Sequence, residues 1–293
     1  MAIPSPRSTL VVTGADRLTW LNGLITCDLV KKQAGEAAYG LVVTRHGRVL
    51  ADLGVFLDEG RLLLAVPSGV VETLTRHFEH YVVMEDAQTA PGSEQFDIWD
   101  FHGPRSLELL EAARASGGVG AHLDRTGLGG AIVFVPRERS EQVRSRLVRG
   151  VSELGGAVGD ALGWQALRLE RGVPEFAEDF DDKTYPQEAG IEKVAVSFDK
   201  GCYLGQEVVC MLELRGHVKR KLLPLVLDGS QVPHHGATVT DPAGTAVGEV
   251  TSAALSPTLG RAVALAMVKR SHGEPASVLL VDGARAQVVD RPA

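Results

Sequence analysis

Apolar and polar positions alternate with two periods along the first 170 or so residues. Thr9, Leu10, Val11 and Val12 form a short apolar run that stops at Thr13-Gly14 and predicts a buried strand. Asp16 is the predicted N-cap of a helix whose Leu18, Leu21, Leu24 and Ile25 share one face, with Trp20 at its edge. Residues 39–44, 48–56 and 61–66 read as three strands broken by His46-Gly47 and Asp58-Glu59-Gly60. Ser68 opens a second helix carrying Val71, Leu74 and Phe78, and 81–85 reads as another strand. This order predicts an α+β unit of the ferredoxin-like kind. A second unit follows, with strands at 96–101 and 130–135 and helices at 105–115 and 139–154. Two such units side by side predict a cleft. Asp160 caps a further helix through Leu162, Leu167 and Leu169, ending at Arg171-Gly172.

The periodicity then breaks. From 173 to 200 the chain carries Pro174, Asp179, Asp181, Asp182, Pro186 and Gly190, with Phe176, Phe180, Tyr185 and Ile191 interleaved. Structureless loops beyond about 15 residues are usually functional or disordered; the aromatic residues predict an ordered loop packed on a surface. After Lys219 the texture changes to short β runs at 222–227, 237–240, 247–253, 262–268, 277–281 and 286–289, with turns at Asp241-Pro242-Ala243-Gly244 and Asp282-Gly283. The predicted fold is α+β: ferredoxin-like units around a central cleft in residues 1–218, and a small β-barrel domain in 219–293.

Composition narrows the function classes. A chain of 293 residues with 44% hydrophobic content suits two or three domains with sizeable cores. The net charge of -7 argues against a basic coat for nucleic acid, so no direct nucleic-acid partner is expected beyond a local patch. The start, MAIPSPRSTLVV, lacks the cationic-then-apolar pattern of a signal peptide, and no apolar run approaches the ~18 residues of a membrane span. A cytoplasmic protein is expected. Cys27, Cys202 and Cys210 are odd in number and never at Cys-x-x-Cys spacing, which suits neither a disulfide framework nor a zinc ribbon.

Phosphate-cradling glycine motifs and a Gly-x-Ser-x-Gly elbow are missing from the sequence. The glycines at 127–130 precede a strand and mark a turn, and His234-His235 lies in a turn without metal-site spacing. Arg215, His217, Lys219, Arg220 and Lys221 form the densest basic run. It reads either as a solvated connector or as a contact for an anionic ligand.

The segment KGCYLGQEVV, from Lys200 onward, sets the chemical question. Gly201 and Gly205 permit tight backbone around Cys202, and Lys200 can favour thiolate by its charge. Cys202 reads as a nucleophile, a metal or cluster ligand, or a small residue packed in a turn. Glu170 and Glu207 are carboxylates near segment ends, able to accept paired N–H donors.

Leu21-Asn22-Gly23-Leu24-Ile25-Thr26, Arg48-Val49-Leu50-Ala51-Asp52, Leu169-Glu170-Arg171-Gly172 and the Lys200–Glu207 motif together resemble the YgfZ-type branch of the glycine cleavage T-protein superfamily. The resemblance covers most of the chain. It implies a ring of domains around a folate site, with tetrahydrofolate or a derivative as ligand. It also implies support of iron–sulfur cluster assembly or repair, with iron–sulfur client proteins as partners and an indirect role in tRNA modification. In the superfamily the glutamate of the Leu-Glu-x-Gly segment holds the pterin, which carries to Glu170, and a carboxylate can accept two parallel N–H bonds there. Asn22 and Asp52 are then expected to line the cleft, with Lys200, Tyr203, Gln206 and Glu207 on its other wall. Cys202 is expected to be a reactive thiol for redox or sulfur-transfer chemistry; one cysteine does not hold a cluster alone.

Two departures bear on the rival reading, a tetrahydrofolate-dependent aminomethyltransferase or other one-carbon transferase. Aminomethyltransferases of the superfamily carry a double aspartate where this chain has Ala51-Asp52, and the cysteine motif replaces their Lys-Arg-Arg-type segment. Asp52 is then the sole acid–base candidate. A third reading is a folate-sensing binding module in which Cys202 only packs.

Overall fold

In the computed structural model, described over residues 1–216 and 218–293, the strands pair into two antiparallel sheets and one closed barrel. The chain divides into two compact units.

The first unit comprises Met1–Asp160 and Val194–Gln206. In chain order it contains β1 (Ala2–Pro4), β2 (Arg7–Thr13), α1 (Arg17–Asn22), β3 (Ala37–Val43), β4 (Val49–Asp58), β5 (Arg61–Pro67), α2 (Val71–His80), β6 (Gln88–Pro91), β7 (Phe96–His102), α3 (Ser106–Arg114), β8 (Val119–His122), β9 (Gly130–Pro136) and α4 (Ser140–Glu153). One sheet runs β3-β4-β5-β2-β6 and the other β1-β7-β9-β8.

Period-two alternation sorts each strand between two cores. β4 turns Ala51, Leu53, Val55 and Leu57 toward α1 and α2, where Trp20, Leu74 and Phe78 meet them. Its Phe56 faces the other way and stacks on Phe134 of β9, with ring centroids 6.2 Å apart. Val11, Leu63, Ile98 and Ile132 fill the same space, so the two sheets pack face to face. α3 and α4 cover the outer face of the second sheet through Leu109, Leu110, Val143 and Leu147. The result is a helix–sheet–sheet–helix stack. Emptying one fully buried ring such as Phe78 costs roughly 3–5 kcal/mol.

Three local expectations are corrected. α1 stops after six residues, so Leu24 and Ile25 are buried without being helical. Asp16 precedes α1 but does not cap it, because its carboxylate accepts the Asp86 N–H at 2.8 Å. Residues 81–85 are not a strand. Glu85 collects the N–H groups of Val83 and Met84 at 2.9 and 3.0 Å, and this local turn wins over sheet pairing. Val83 and Met84 are exposed, and the strand begins later, at Gln88.

The second unit comprises Ala161–Lys193 and Glu207–Ala293. From residue 161 on, the elements are α5 (Ala161–Glu170), α6 (Pro186–Ala189), α7 (Glu192–Ala195), α8 (Gln206–Leu214), β10 (Arg220–Leu227), β11 (Thr238–Thr240), β12 (Ala246–Leu255), β13 (Ala262–Lys269), β14 (Val278–Val281) and β15 (Ala284–Val288). The six strands close in the order β10-β13-β12-β11-β14-β15, with Leu225 opposite Val288 at the closure. Val239, Val250, Ala264, Leu279 and Val281 fill the interior.

α5 presses Leu169 onto the barrel's outer wall, against Leu222, Val226, Val263, Leu265 and Met267. Arg168, one residue earlier, is fully buried and donates to Asp179 Oδ2 at 2.7 Å. Asp179 Oδ1 in turn accepts the hydroxyls of Thr251 and Ser252 on β12, at 2.6 and 2.5 Å. The polar loop after α5 is thus tied to α5 by the Arg168–Asp179 ion pair and to the barrel by hydroxyl donors to the Asp179 carboxylate. The mixed α/β organisation with a terminal barrel agrees with the sequence reading. The compact units are drawn differently from a division at 218/219: Ala161–Lys193 and the chain from Glu207 go with the barrel. Among the described residues, no helix is long and apolar enough to cross a membrane.

Candidate functional site

The Lys200–Gln206 part of the cysteine motif lies in the first unit, beside the segment that follows α1. Lys200 is buried, and its ammonium donates to three backbone carbonyls: Asn22 at 2.6 Å, Cys27 at 2.7 Å and Ile25 at 2.9 Å. An ammonium has three donors, so all of them are used. Burial pulls its pKa down to about 8, against the opposing pull of Cys27 and Asp28. It therefore stays charged at neutral pH. Tyr203, also buried, sits with its ring 5.3 Å from this nitrogen. Asn22 completes the clasp from the other side, its Oδ1 accepting the Leu29 N–H at 2.8 Å. Leu204 N–H reaches the Gly23 carbonyl at 2.9 Å. Gly205 is required: its φ is +80°, and a Cβ there would lie 2.3 Å from the Thr44 carbonyl oxygen.

These contacts revise two sequence expectations. Lys200 is spent on the 22–27 backbone and is not a charge reserved for the Cys202 thiol. Asn22, Lys200 and Tyr203 do come together, but as a clasp between two distant segments. Cys202 itself is exposed, and the neighbouring Gly201 has open space around its Cα. Cys27 is buried, and burial pushes its thiol up to about 12. Cys210 on α8 is half-buried; burial and then Glu213 raise its pKa. Gln206 begins α8 with its N–H 3.2 Å from the Tyr203 carbonyl, and Glu207, the next residue, is exposed.

Asp52 is placed differently from expectation. It points from β4 into the space between the two sheets and is 0% exposed, so it lines no open cleft in the first unit. Oδ2 accepts Arg7 Nη2 at 2.6 Å and the Tyr39 hydroxyl at 2.8 Å, with Arg125 3.7 Å away. Oδ1 is buried with no hydrogen-bond partner among the described residues. Burial works to raise the pKa of this carboxyl, but Arg7 and then Arg125 outweigh it and hold it below the ordinary value. Arg125 also lies over the Tyr39 ring, 4.9 Å from its centroid. A carboxylate so paired is a structural ion and a poor proton acceptor at neutral pH.

Glu170 ends α5 in the second unit and is 8% exposed. Its Oε1 accepts the Ser256 hydroxyl at 2.5 Å and the Thr258 N–H at 3.0 Å. Oε2 takes no donor from the described residues. A carboxylate oxygen has two lone-pair directions, and these two donors fill those of Oε1.

Sequence reasoning missed Ser256 and Thr258, whose signal was only a Ser-Pro turn between two β runs, and Arg7, Tyr39 and Arg125, whose signal is none. The basic run proves partly paired. Arg220 Nε lies 3.3 Å from Glu188 Oε1. His217 of that run lies outside the described residues. His235 is exposed and bonds the Thr251 carbonyl through Nδ1 at 2.6 Å. Among the described residues no group of three or more His, Cys, Asp or Glu side chains is arranged to hold a metal ion.

Comparison with known proteins agrees with this architecture. Residues 5–123 match the GCVT N-terminal domain, and residues 220–293 match the glycine cleavage T-protein C-terminal barrel domain. An aminomethyltransferase of Rippkaea orientalis is 28% identical, covering 95% of this chain and 82% of that protein. One from Thermotoga maritima is 27% identical over 96% and 82% of the two chains, and one from Streptomyces coelicolor 28% over 91% and 77%. The glycine cleavage system aminomethyltransferase T of Bartonella henselae has the same fold, with TM-score 0.83 at 19% identity, across 99% of this chain and 85% of that one.

Proposed function

We infer, from the premise that this chain is built of the domains of the glycine cleavage T-protein superfamily, that it binds a reduced folate. Tetrahydrofolate is the proposed ligand. The observation that carries the reading is Glu170, a half-engaged carboxylate at the end of α5. Its open oxygen accepts an N–H of the pterin edge, and the charge strengthens that bond. When bound, a reduced folate carries one-carbon units on its ring nitrogens.

The relatives are named aminomethyltransferase, which favours one-carbon transfer over iron–sulfur support as the first chemistry to test. This chain's own residues qualify that reading. Ala51 stands where aminomethyltransferases of the superfamily carry the first of two aspartates, and Asp52 is sealed between the sheets with Arg7. General acid–base help from Asp52 is therefore not part of the proposal; binding and orientation are. A second reading places the chain in the YgfZ-type branch, supporting iron–sulfur enzymes. The observation favouring it is the exposed Cys202 within the motif specific to that branch.

Calorimetric titration with tetrahydrofolate, on wild type, Glu170→Ala and Glu170→Gln, tests the common core of both readings. Removal of the carboxylate is expected to weaken binding about 30-fold to 1000-fold. Unchanged affinity in both variants removes Glu170 from the site. Methylene transfer from a test amine to tetrahydrofolate then separates the readings, since only the transferase produces it.

A further inference from the structure

Ser256 is fully buried and its hydroxyl has two partners. Oγ accepts the Leu259 N–H at 2.9 Å and lies 2.5 Å from Glu170 Oε1. A serine oxygen that accepts an N–H and faces a carboxylate has one use for its own proton, and it goes to the carboxylate. Thr258 N–H adds a second donor to the same oxygen at 3.0 Å. Both donors come from the turn between β12 and β13. That turn is closed by Ser256 N–H to the Arg261 carbonyl at 2.8 Å and Gly260 N–H to the Ser256 carbonyl at 2.9 Å. Nothing in it needs Glu170 for closure. Two donors aimed at one oxygen of a carboxylate fix the rotation of the group and decide which oxygen is left over.

We propose that Ser256 is a positioning residue: with the Thr258 N–H it pins Oε1 and presents Oε2 alone to the N–H edge of the folate. This rests on the reading of Glu170 as the pterin anchor. It adds that the barrel, through a hydroxyl that touches no ligand, sets the direction from which the ligand must offer its donor. A freely rotating carboxylate loses part of its binding strength to ordering, which a pinned one has already undergone.

The test holds volume constant. Ser256→Thr keeps the hydroxyl, and Ser256→Val replaces it with a methyl group of nearly the same size, so packing strain is common to both. Tetrahydrofolate affinity is measured for each, alone and combined with Glu170→Ala, with thermal melts to verify equal folding. With Glu170 present, Ser256→Val is expected to bind about 5-fold to 30-fold more weakly than Ser256→Thr. With Glu170→Ala the two are expected to bind equally, because the hydroxyl then has nothing to orient. If neither variant folds, Ser256→Ala, which adds no volume, is compared with wild type in the same cycle. Equal affinities with Glu170 present, or a gap that persists without it, overturn the positioning role while leaving Glu170 as anchor. If Glu170→Ala alone leaves affinity unchanged, the anchor and the positioning role fall together.

Discussion

Lys200 is tied to Asn22 across 178 positions of chain, its ammonium 2.6 Å from the Asn22 carbonyl. The same nitrogen holds Ile25 and Cys27, so one charge organises the whole turn after α1. Lys200→Met removes three buried hydrogen bonds and leaves three carbonyls without that donor. A loss of about 2–4 kcal/mol in unfolding free energy is expected, read as a lower denaturant midpoint. Lys200→Arg is not expected to restore it, since a planar fork does not match three carbonyls converging on a point.

Asp52 and Arg7 form the second buried tie. Asp52→Ala strands the Arg7 guanidinium between the sheets and is expected to cost about 3–5 kcal/mol. Changing both, as Arg7→Met with Asp52→Ala, should recover part of that loss. The folded variants are expected to keep tetrahydrofolate affinity within about threefold of wild type. A larger drop, in protein shown by circular dichroism to be folded, would return Asp52 to the binding site.

The cysteines differ in access. Cys202 is exposed, whereas Cys27 is buried with its thiol pushed up to about 12. Alkylation follows thiolate fraction and access. Iodoacetamide at neutral pH should therefore modify Cys202 first, Cys210 slowly and Cys27 only on unfolding, as mapped by peptide mass spectrometry. Fast labelling of Cys27 in native protein would contradict the clasp around Lys200.

His102 predicts acid sensitivity. Burial pushes its pKa down from 6.5 to about 4, with Asp100 opposing. The folded state thus holds the neutral ring, while the unfolded chain takes up a proton below pH 6.5. Stability is full above that value and declines as pH falls toward 4, by on the order of 2–3 kcal/mol. Thermal melts from pH 7 to 4 should show this decline for wild type and a shallower one for His102→Gln.

What the sequence made legible follows from range. Strands β3, β4 and β5 and all six barrel strands carry their signal in neighbouring residues, and their predicted positions agree to within a few residues. The turn at 81–85 failed because Glu85 competes locally for backbone donors that an apolar run had suggested were free for pairing. The site was harder. Glu170 was singled out through a motif, but the Ser256 and Thr258 groups that donate to it lie 86 and 88 positions away. Asp52 looked like a cleft residue for the same reason in reverse: the arginines that claim it come from β2 and from the link between β8 and β9. A sequence shows which residues can ionise and not which of them meet.

The Leu169 contact on the barrel wall sets where the protein can be cut. The barrel has no open strand edge, yet a fragment beginning at Lys219 would leave the flank of Leu222, Val226, Val263, Leu265 and Met267 without its helix. Five large side chains bared together form a sticky patch on an otherwise closed cylinder. Such a fragment is expected to self-associate in sedimentation experiments. One that keeps Ala161–Lys193 joined by a linker to the chain from Glu207 retains the helix and is expected to stay monomeric.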